Sequence, residues 1–482
     1  MKKLDIGVIV TTLIIVTISC SLAFFAARVV GEPKDINLVA KNVAITFNDT
    51  SIIANGVVSP GWNTTKTFTI TNNSKEEYKY NISIKDLINT FVTEEYLQYK
   101  ITSTNGGYNM TEFKDIPKSS APKDTILAYS VVIPNGVTQS YTIEFKYAND
   151  ESVDQSDDMG KKLSGTLFIT EGTKEPVTLL SQILKDNPTR STRSNNNNGK
   201  NDFATPLTVT TTGTLFTSTE SIAGGTPKEV YYYAGNTTNN WVKFAGLYWR
   251  IIRTNHDGSI RLLYVGTSHD TTTGNIGESE FNTNINSPKY VGYKYGEDTS
   301  YDTIRNNTTD STIKTFIDSW YQNNLTNYSK YLSTSAVYCN DRSEGTGQTY
   351  SASAGFNFAS YYRMDYDTDG ASANPSYNCT DIRDAFSIDN TNAKLDYPVS
   401  LMTADEIAFA GGVAFQTMNT PYAWFISNSV GTQVSTSWWS LSPNNWNNGN
   451  ANVWNWNSDN ANLNNNNVDN TNAVRPANFS RV

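Results

Sequence analysis

One stretch divides this chain before any other reading begins. Gly7 to Ala27, GVIVTTLIIVTISCSLAFFAA, is a continuous run without charge, preceded by Lys2 and Lys3. About 20 apolar residues are needed to cross the hydrocarbon layer as a helix. Basic residues stay on the cytoplasmic side, so this order predicts an inside N-terminus and an extracytoplasmic bulk. Three processing routes are compatible with the run. The first is an uncleaved anchor covering residues 1–35. The second is a cleaved signal peptide with Val29-Val30-Gly31 as the best site, although a signal core is usually about 7–15 residues. The third is a lipoprotein cut before Cys20, on the lipobox-like Thr17-Ile18-Ser19-Cys20. No second apolar span and no wall-sorting motif precede Val482, so attachment to the membrane is expected through Gly7–Ala27 alone.

Composition agrees with export. Charged residues are 17% of the 482, below the usual quarter, and Asn, Thr and Ser replace them. The net charge of −9 argues against a nucleic-acid partner, because phosphate binding needs a cationic face. Outside the apolar run the only cysteines are Cys339 and Cys379. An even pair in an oxidising compartment predicts a disulfide; two free buried thiols are the other reading.

Residues 36–172 alternate with period 2. Phe68 and Ile70 alternate with threonines; Tyr141, Ile143, Phe145 and Tyr147 alternate with Thr142, Glu144 and Lys146. Such alternation is the pattern of half-buried strands. Turn signals at Ser59-Pro60-Gly61, Asn72-Asn73-Ser74, Asn105-Gly106-Gly107 and Pro134-Asn135-Gly136 separate about seven of them, which predicts an all-β sandwich. The stretch from Ser59-Pro-Gly-Trp62 through Thr67-Phe-Thr-Ile-Thr-Asn72 resembles surface β-sandwich domains of low-GC Gram-positive bacteria, of the camelysin or biofilm-fibre type.

Residues 173–202 read as a connector. Val177, Leu180, Ile183 and Leu184 sit at helical spacing, and Thr189 to Lys200 is a polar tract expected to be a flexible linker.

Residues 203–482 mix α and β patterns. Phe244–Arg253 and Ile260–Val265 flank Asn255-His-Asp-Gly258 as a hairpin. Ile313, Phe316, Ile317, Trp320 and Tyr321 share one helical face, and Thr403-Ala-Asp-Glu406 is a capping box before Gly411-Gly412. Trp249-Arg250-Ile-Ile, Asn340-Asp-Arg342, Thr403-Ala-Asp-Glu406, Trp438-Trp-Ser-Leu-Ser-Pro443 and Val474-Arg-Pro476 occur in that order. Together they resemble an extracellular domain of gut Firmicutes that is similar to the C-type-lectin-like fold of the sulfatase-modifying-factor (formylglycine-generating) family. The resemblance implies an α+β head with a small twisted sheet and long loops. It does not carry over the formylglycine-generating activity: that family binds copper with a cysteine pair near the C-terminus, and no cysteine follows Cys379.

Enzyme signatures are thin. The two histidines, His256 and His269, lie in polar turns, and no nucleophile elbow, zinc motif or phosphate loop occurs. A carboxylate pair of the glycosidase kind would leave no recognisable spacing. Asp365, Asp367 and Asp369 followed by Gly370 match the start of a calcium loop, with Ser376 where an acidic twelfth ligand belongs and Asp381 or Asp384 as substitutes. The competing reading is a plain acidic loop. Trp446, Trp454 and Trp456 stand in an Asn-rich tract. They are candidate platforms for pyranose rings, Asn amides supplying donors and acceptors, or else core residues. The sequons at Asn63, Asn81 and Asn236 are what chance gives in so Asn- and Thr-rich a chain.

The expectation is a multidomain surface protein: N-terminal transmembrane helix, β-sandwich stalk, flexible linker, then a lectin-like head. The head is expected to bind a glycan or a host or neighbour-cell protein without catalysis. The alternatives are a self-associating envelope or appendage component and an undetected carbohydrate-active enzyme.

Overall fold

The computed structural model describes residues 27–30, 36–40, 43–49, 57–92, 96–151, 154–173, 178–193, 203–208, 210–268, 274–364, 373–421, 437–447 and 449–481. The chain forms two compact units, Met1–Pro176 and Val177–Val482, and is predominantly β. No helix among the described residues is long and apolar enough to cross a membrane, and Gly7–Phe25 and Ala26 of the apolar run lie outside them.

Among the described residues the first unit holds eleven strands in two sheets. One runs Val57–Val58, Ala27–Val30, Leu163–Glu171, Tyr78–Asn89, Ser119–Ile133. The other runs Ile36–Ala40, Val43–Asp49, Asn63–Asn72, Thr138–Tyr147, Leu97–Ser103, Lys114–Asp115. Period-2 patterning turns one set of side chains of each sheet inward. Phe68, Ile70, Tyr141 and Ile143 from one sheet and Tyr80, Ile82, Leu167 and Ile169 from the other form a single core. Tyr80 OH donates inside it to Gln139 Oε1 at 2.6 Å, as burial of a hydroxyl demands. The strand count exceeds the seven read from turn signals, because short edge strands such as Lys114–Asp115 carry too few residues to alternate. Ala27–Val30, which begins at the last residue of the apolar run, pairs in parallel with Leu163–Glu171 and antiparallel with Val57–Val58.

In the second unit, helix α1 (Leu179–Asp186) starts at Thr178, whose side chain accepts from Ser181 N–H. Its apolar face is not a free connector: Ile183 is buried in the main core of this unit and Leu180 and Leu184 pack beside it. A seven-stranded sheet includes Leu247–Thr254, Ile260–Gly266, Pro476–Ser480 and Val399–Leu401. The stretch 244–253 is not one strand. Ala245 (φ 55°) and Gly246 (φ 77°) turn left-handed, and Trp241–Phe244 folds back antiparallel onto Leu247–Arg250. That is the geometry a two-residue hairpin loop requires.

Helix α2 (Thr312–Asn324) is capped by Ser311 and buries Ile313, Ile317 and Tyr321. Helix α3 (Ala359–Met364) is short. Helix α4 (Ala404–Ala410) carries the complete Thr403/Glu406 capping box and stops at Gly411, φ 117°. Cys339 and Cys379 are joined by a disulfide with Cα atoms 5.7 Å apart.

The Asn- and Trp-rich tract forms three antiparallel strands, Trp438–Asn447, Asn450–Asn457 and Asn462–Asn467. Both faces of this sheet are covered. Trp439 and Val453 enter the main core, while Trp438, Trp454, Trp456 and Leu463 enter a second one with Ile407 of α4.

Candidate functional site

Continuous apolar runs make strands that are buried on both faces, and an arginine inside one must find a polar partner. Leu247–Thr254 and Ile260–Gly266 are such runs; of the arginines in them, Arg250 donates to Asn240 Oδ1 and lies on the Trp241 ring, which leaves Arg253 and Arg261. Their guanidinium groups meet Glu406 on the first turn of α4. Arg253 Nε donates to Glu406 Oε1 at 2.7 Å, and Arg261 Nε lies 2.7 Å from the same oxygen. Arg253 Nη1 also pairs with Glu220 Oε1 at 2.9 Å. Burial works against the charge of Arg253, but Glu220 and Glu406 together hold its pKa above the ordinary arginine value. Arg261, with one carboxylate beside it and Arg253 nearby, stays below that value because burial dominates.

A second cluster stands on α3. Arg363 Nη1 donates to Asp341 Oδ2 at 2.6 Å, and its Nε donates to Asp405 Oδ1 at 2.8 Å. Burial pushes Asp341 upward, but Arg363 and the Ser343 hydrogen bonds outweigh it and leave the carboxyl below its ordinary range. The two clusters enclose a cavity of about 20 Å³, lined also by Tyr377, Asn378, Ser376, Cys339, Val337 and Thr403. The disulfide therefore ties together two walls of this cavity: the strand that leads to Asp341 and the segment that carries Tyr377 and Asn378.

Three donor atoms of the lining residues lack a hydrogen-bond partner, one of them Arg261 Nε, which makes only its ion pair with Glu406. Arg261, fully buried between the rings of Tyr338 and Phe479, leaves Nη1 unpaired. Tyr377, 6% exposed, leaves its hydroxyl unpaired while its ring stacks on Phe409 and under Arg253. Burying such groups unsatisfied costs about 1–3 kcal/mol each. The cavity can accept one water-sized polar group, which needs only about 10–15 Å³.

The sequence candidates fare differently. Trp446, Trp454 and Trp456 are 3%, 0% and 0% exposed. Trp446 belongs to the main core, Tyr361 and Phe415 lie on Trp454, and Trp438 stacks on Trp456, so the three fill cores and cannot serve as stacking platforms. Asp365, Asp367 and Asp369 lie outside the described residues, as does His269. Asp381 and Asp384, the proposed substitute ligands, are engaged elsewhere: Asp381 Oδ2 accepts from Arg305 Nη1 at 2.6 Å, and Asp384 Oδ1 from Arg342 Nε at 2.7 Å. His256 Nδ1 is 3.1 Å from Glu220 Oε2, so this turn histidine borders the charged cluster.

Among the described residues, Asp310, Asp318 and Asp396 are grouped closely enough to hold a cation. A cation is already there. Lys314 Nζ, from a side chain with no exposure, donates to the three at 3.0, 2.6 and 2.7 Å. The ammonium occupies the position a metal would take. Burial pushes Asp318 up to about 6 despite Lys314.

Comparisons with known proteins leave the chain without an assigned family. No family model and no curated protein matches it. A solved structure described as "AvmM Catalyzes Macrocyclization in Alchivemycin A Biosynthesis" aligns over 30% of this chain and 100% of that one, at 8% identity with a TM-score of 0.16. A likeness at that level carries no inference about fold or activity.

Proposed function

We propose that this chain is a membrane-tethered, outward-facing surface protein. Its first unit serves as a β-sandwich stalk and its second as a C-type-lectin-like head that binds a glycan or protein ligand without transforming it. Location is supported by the Lys2/Lys3-led run Gly7–Ala27 together with the bond between the two remaining cysteines, a pairing suited to oxidising compartments. Binding is supported above all by the cavity with unpaired Arg261 Nη1 and Tyr377 OH. Its four carboxylates are each held by an arginine, an arrangement that presets hydrogen-bonding groups rather than freeing an acid and a base. Fold alone would not establish the role.

The test uses the full-length protein in detergent micelles on glycan and surface-protein arrays, with protease shaving of intact cells for topology. Saturable capture of one ligand class and loss of the bulk on shaving are expected. Protection of the bulk from protease would overturn the location, and absence of any ligand would overturn the recognition role.

A second reading, a self-associating envelope component, is favoured by Ser119–Ile133. This strand is 15 residues long, ends its sheet, and exposes Ser120 to Asp124. Long exposed edges are templates for pairing with other chains. Concentration-dependent polymerisation without ligand capture would select it.

A further inference from the structure

The chemistry left unpaired in the cavity selects its guest. Three arginines, 253, 261 and 363, face four carboxylates, Glu220, Glu406, Asp341 and Asp405, an excess of one formal negative charge. Each carboxylate already accepts from an arginine, at 2.9 Å or less. What remains open is donor capacity, at Arg261 Nη1 and Tyr377 OH.

A carboxylate or phosphate guest would accept both bonds but add negative charge beside four carboxylates. An ammonium guest would suit the carboxylates but face Arg261 and offer nothing to accept its Nη1 proton. A hydroxyl both donates and accepts and carries no charge. It can take a hydrogen bond from Arg261 or Tyr377 and return its own proton to a carboxylate oxygen. The volume, about 20 Å³, admits one such group and no ring. The ring that bears it must stay at the mouth, where Asn378 is exposed and Arg363 and Ser376 are half-buried.

We infer that this cavity is a subsite for one hydroxyl of a neutral saccharide, the sugar ring resting against Asn378 and Ser376. The inference rests on the recognition role proposed above and specifies its ligand class and its site. Five of the segments that build it are the paired strands with Arg253 and Arg261, helices α3 and α4 with Arg363 and Asp405, and the disulfide-held Ser376–Asn378. The buried tryptophans of the Asn-rich tract take no part.

The test compares full-length wild type, Tyr377→Phe and Asn378→Trp on an array of neutral glycans and of glycans bearing uronate, sulfate or phosphate. Tyr377→Phe removes only the hydroxyl and keeps the ring that lies on Phe409 at 3.9 Å. Asn378→Trp crowds the mouth at an exposed position. Unfolding midpoints of all three are recorded alongside. Neutral-glycan binding, weakened roughly three- to tenfold by Tyr377→Phe and abolished by Asn378→Trp at unchanged midpoints, is the expected result. Neutral-glycan binding indifferent to both variants would overturn this subsite while leaving the recognition role standing. Capture of acidic glycans alone would overturn the neutral-hydroxyl assignment. Capture of proteins but no glycan would do the same, and capture of nothing would overturn the recognition role as well.

Discussion

Arg253 and Glu406 are 153 residues apart in sequence, and Arg253 Nε donates to Glu406 Oε1 at 2.7 Å between side chains that are almost wholly buried. Glu406 also faces Arg261 and, through Oε2, accepts from Thr403 N–H in the capping box. One carboxylate thus closes a helix N-terminus and neutralises two strand arginines. Glu406→Gln should destabilise the second unit by about 3–5 kcal/mol, the usual cost of removing one partner of a buried pair. Nine of the ten tryptophans lie in Val177–Val482, so the tryptophan-fluorescence transition in denaturant reports this unit. A shift below 1 kcal/mol would mean that the cluster behaves as a surface ion pair.

The bond between Cys339 and Cys379 spans a separation of 40 residues. Cross-linking a loop of that length restricts the unfolded chain by about 3–4 kcal/mol. Cys339→Ser or a reductant should lower the tryptophan-monitored transition by that amount and leave strand unfolding of the first unit, followed by far-ultraviolet dichroism, in place. Equal thiol titration of the unfolded protein before and after reduction would show that the bond does not form.

How much of this could be read from sequence depends on whether the cause is local. Thr138–Tyr147 alternates in burial at nearly every residue because one face of its sheet packs on the core, and the sequence alternates with it. The Thr403/Glu406 box was legible for the same reason, since both its hydrogen bonds close within one turn. The charged cluster was not, because its members come from six separate segments. A signal was present: Arg253 and Arg261 stand inside apolar runs buried on both faces, which calls for a distant polar partner, met by Glu406 for these two and by Asn240 for Arg250. The tryptophan tract stayed open between two readings for the converse reason. Trp454 and Val453 point to opposite faces, and both faces are covered, so composition could not separate a platform from a core.

Stability should fall with pH through the Asp318 window. Its carboxyl lies at about 6 in the folded chain against an ordinary 3.8, pushed up by burial more than Lys314 pulls it down. The folded state therefore binds the proton more tightly. This group's contribution is complete below pH 3.8 and is lost as pH rises through about 6. Asp396, held below its ordinary range chiefly by Lys314, acts oppositely and only at lower pH. Asp318→Asn should flatten the decline between these limits, a difference on the order of 2 kcal/mol in denaturant titrations at pH 4 and pH 7. An unchanged pH profile would mean that Asp318 stays ionised beside Lys314 throughout.

The asparagine tract ends its sheet at Asn462–Asn467, and alternate backbone amides of that strand point away from the neighbouring strand. Leu463 N–H finds Val413 O at 3.0 Å, a bridge at the strand's start. Among the described residues the next two outward amides have no such backbone neighbour. Asn465 N–H donates to Asn464 Oδ1 at 2.8 Å, and Asn467 N–H donates to Asn466 Oδ1 at 3.0 Å. Each asparagine thereby caps the amide that follows it, and a side chain fills the position that another chain's carbonyl would take. Unpaired edge amides template association between molecules. The double variant Asn464→Ala with Asn466→Ala should open both amides and yield concentration-dependent dimers in sedimentation velocity, where the parent tract does not contribute to association. Asn464→Asp with Asn466→Asp retains an acceptor at each position and adds charge, so it should stay unassociated. Equal sedimentation of the alanine and aspartate variants at every concentration would show that the asparagines do not protect this edge.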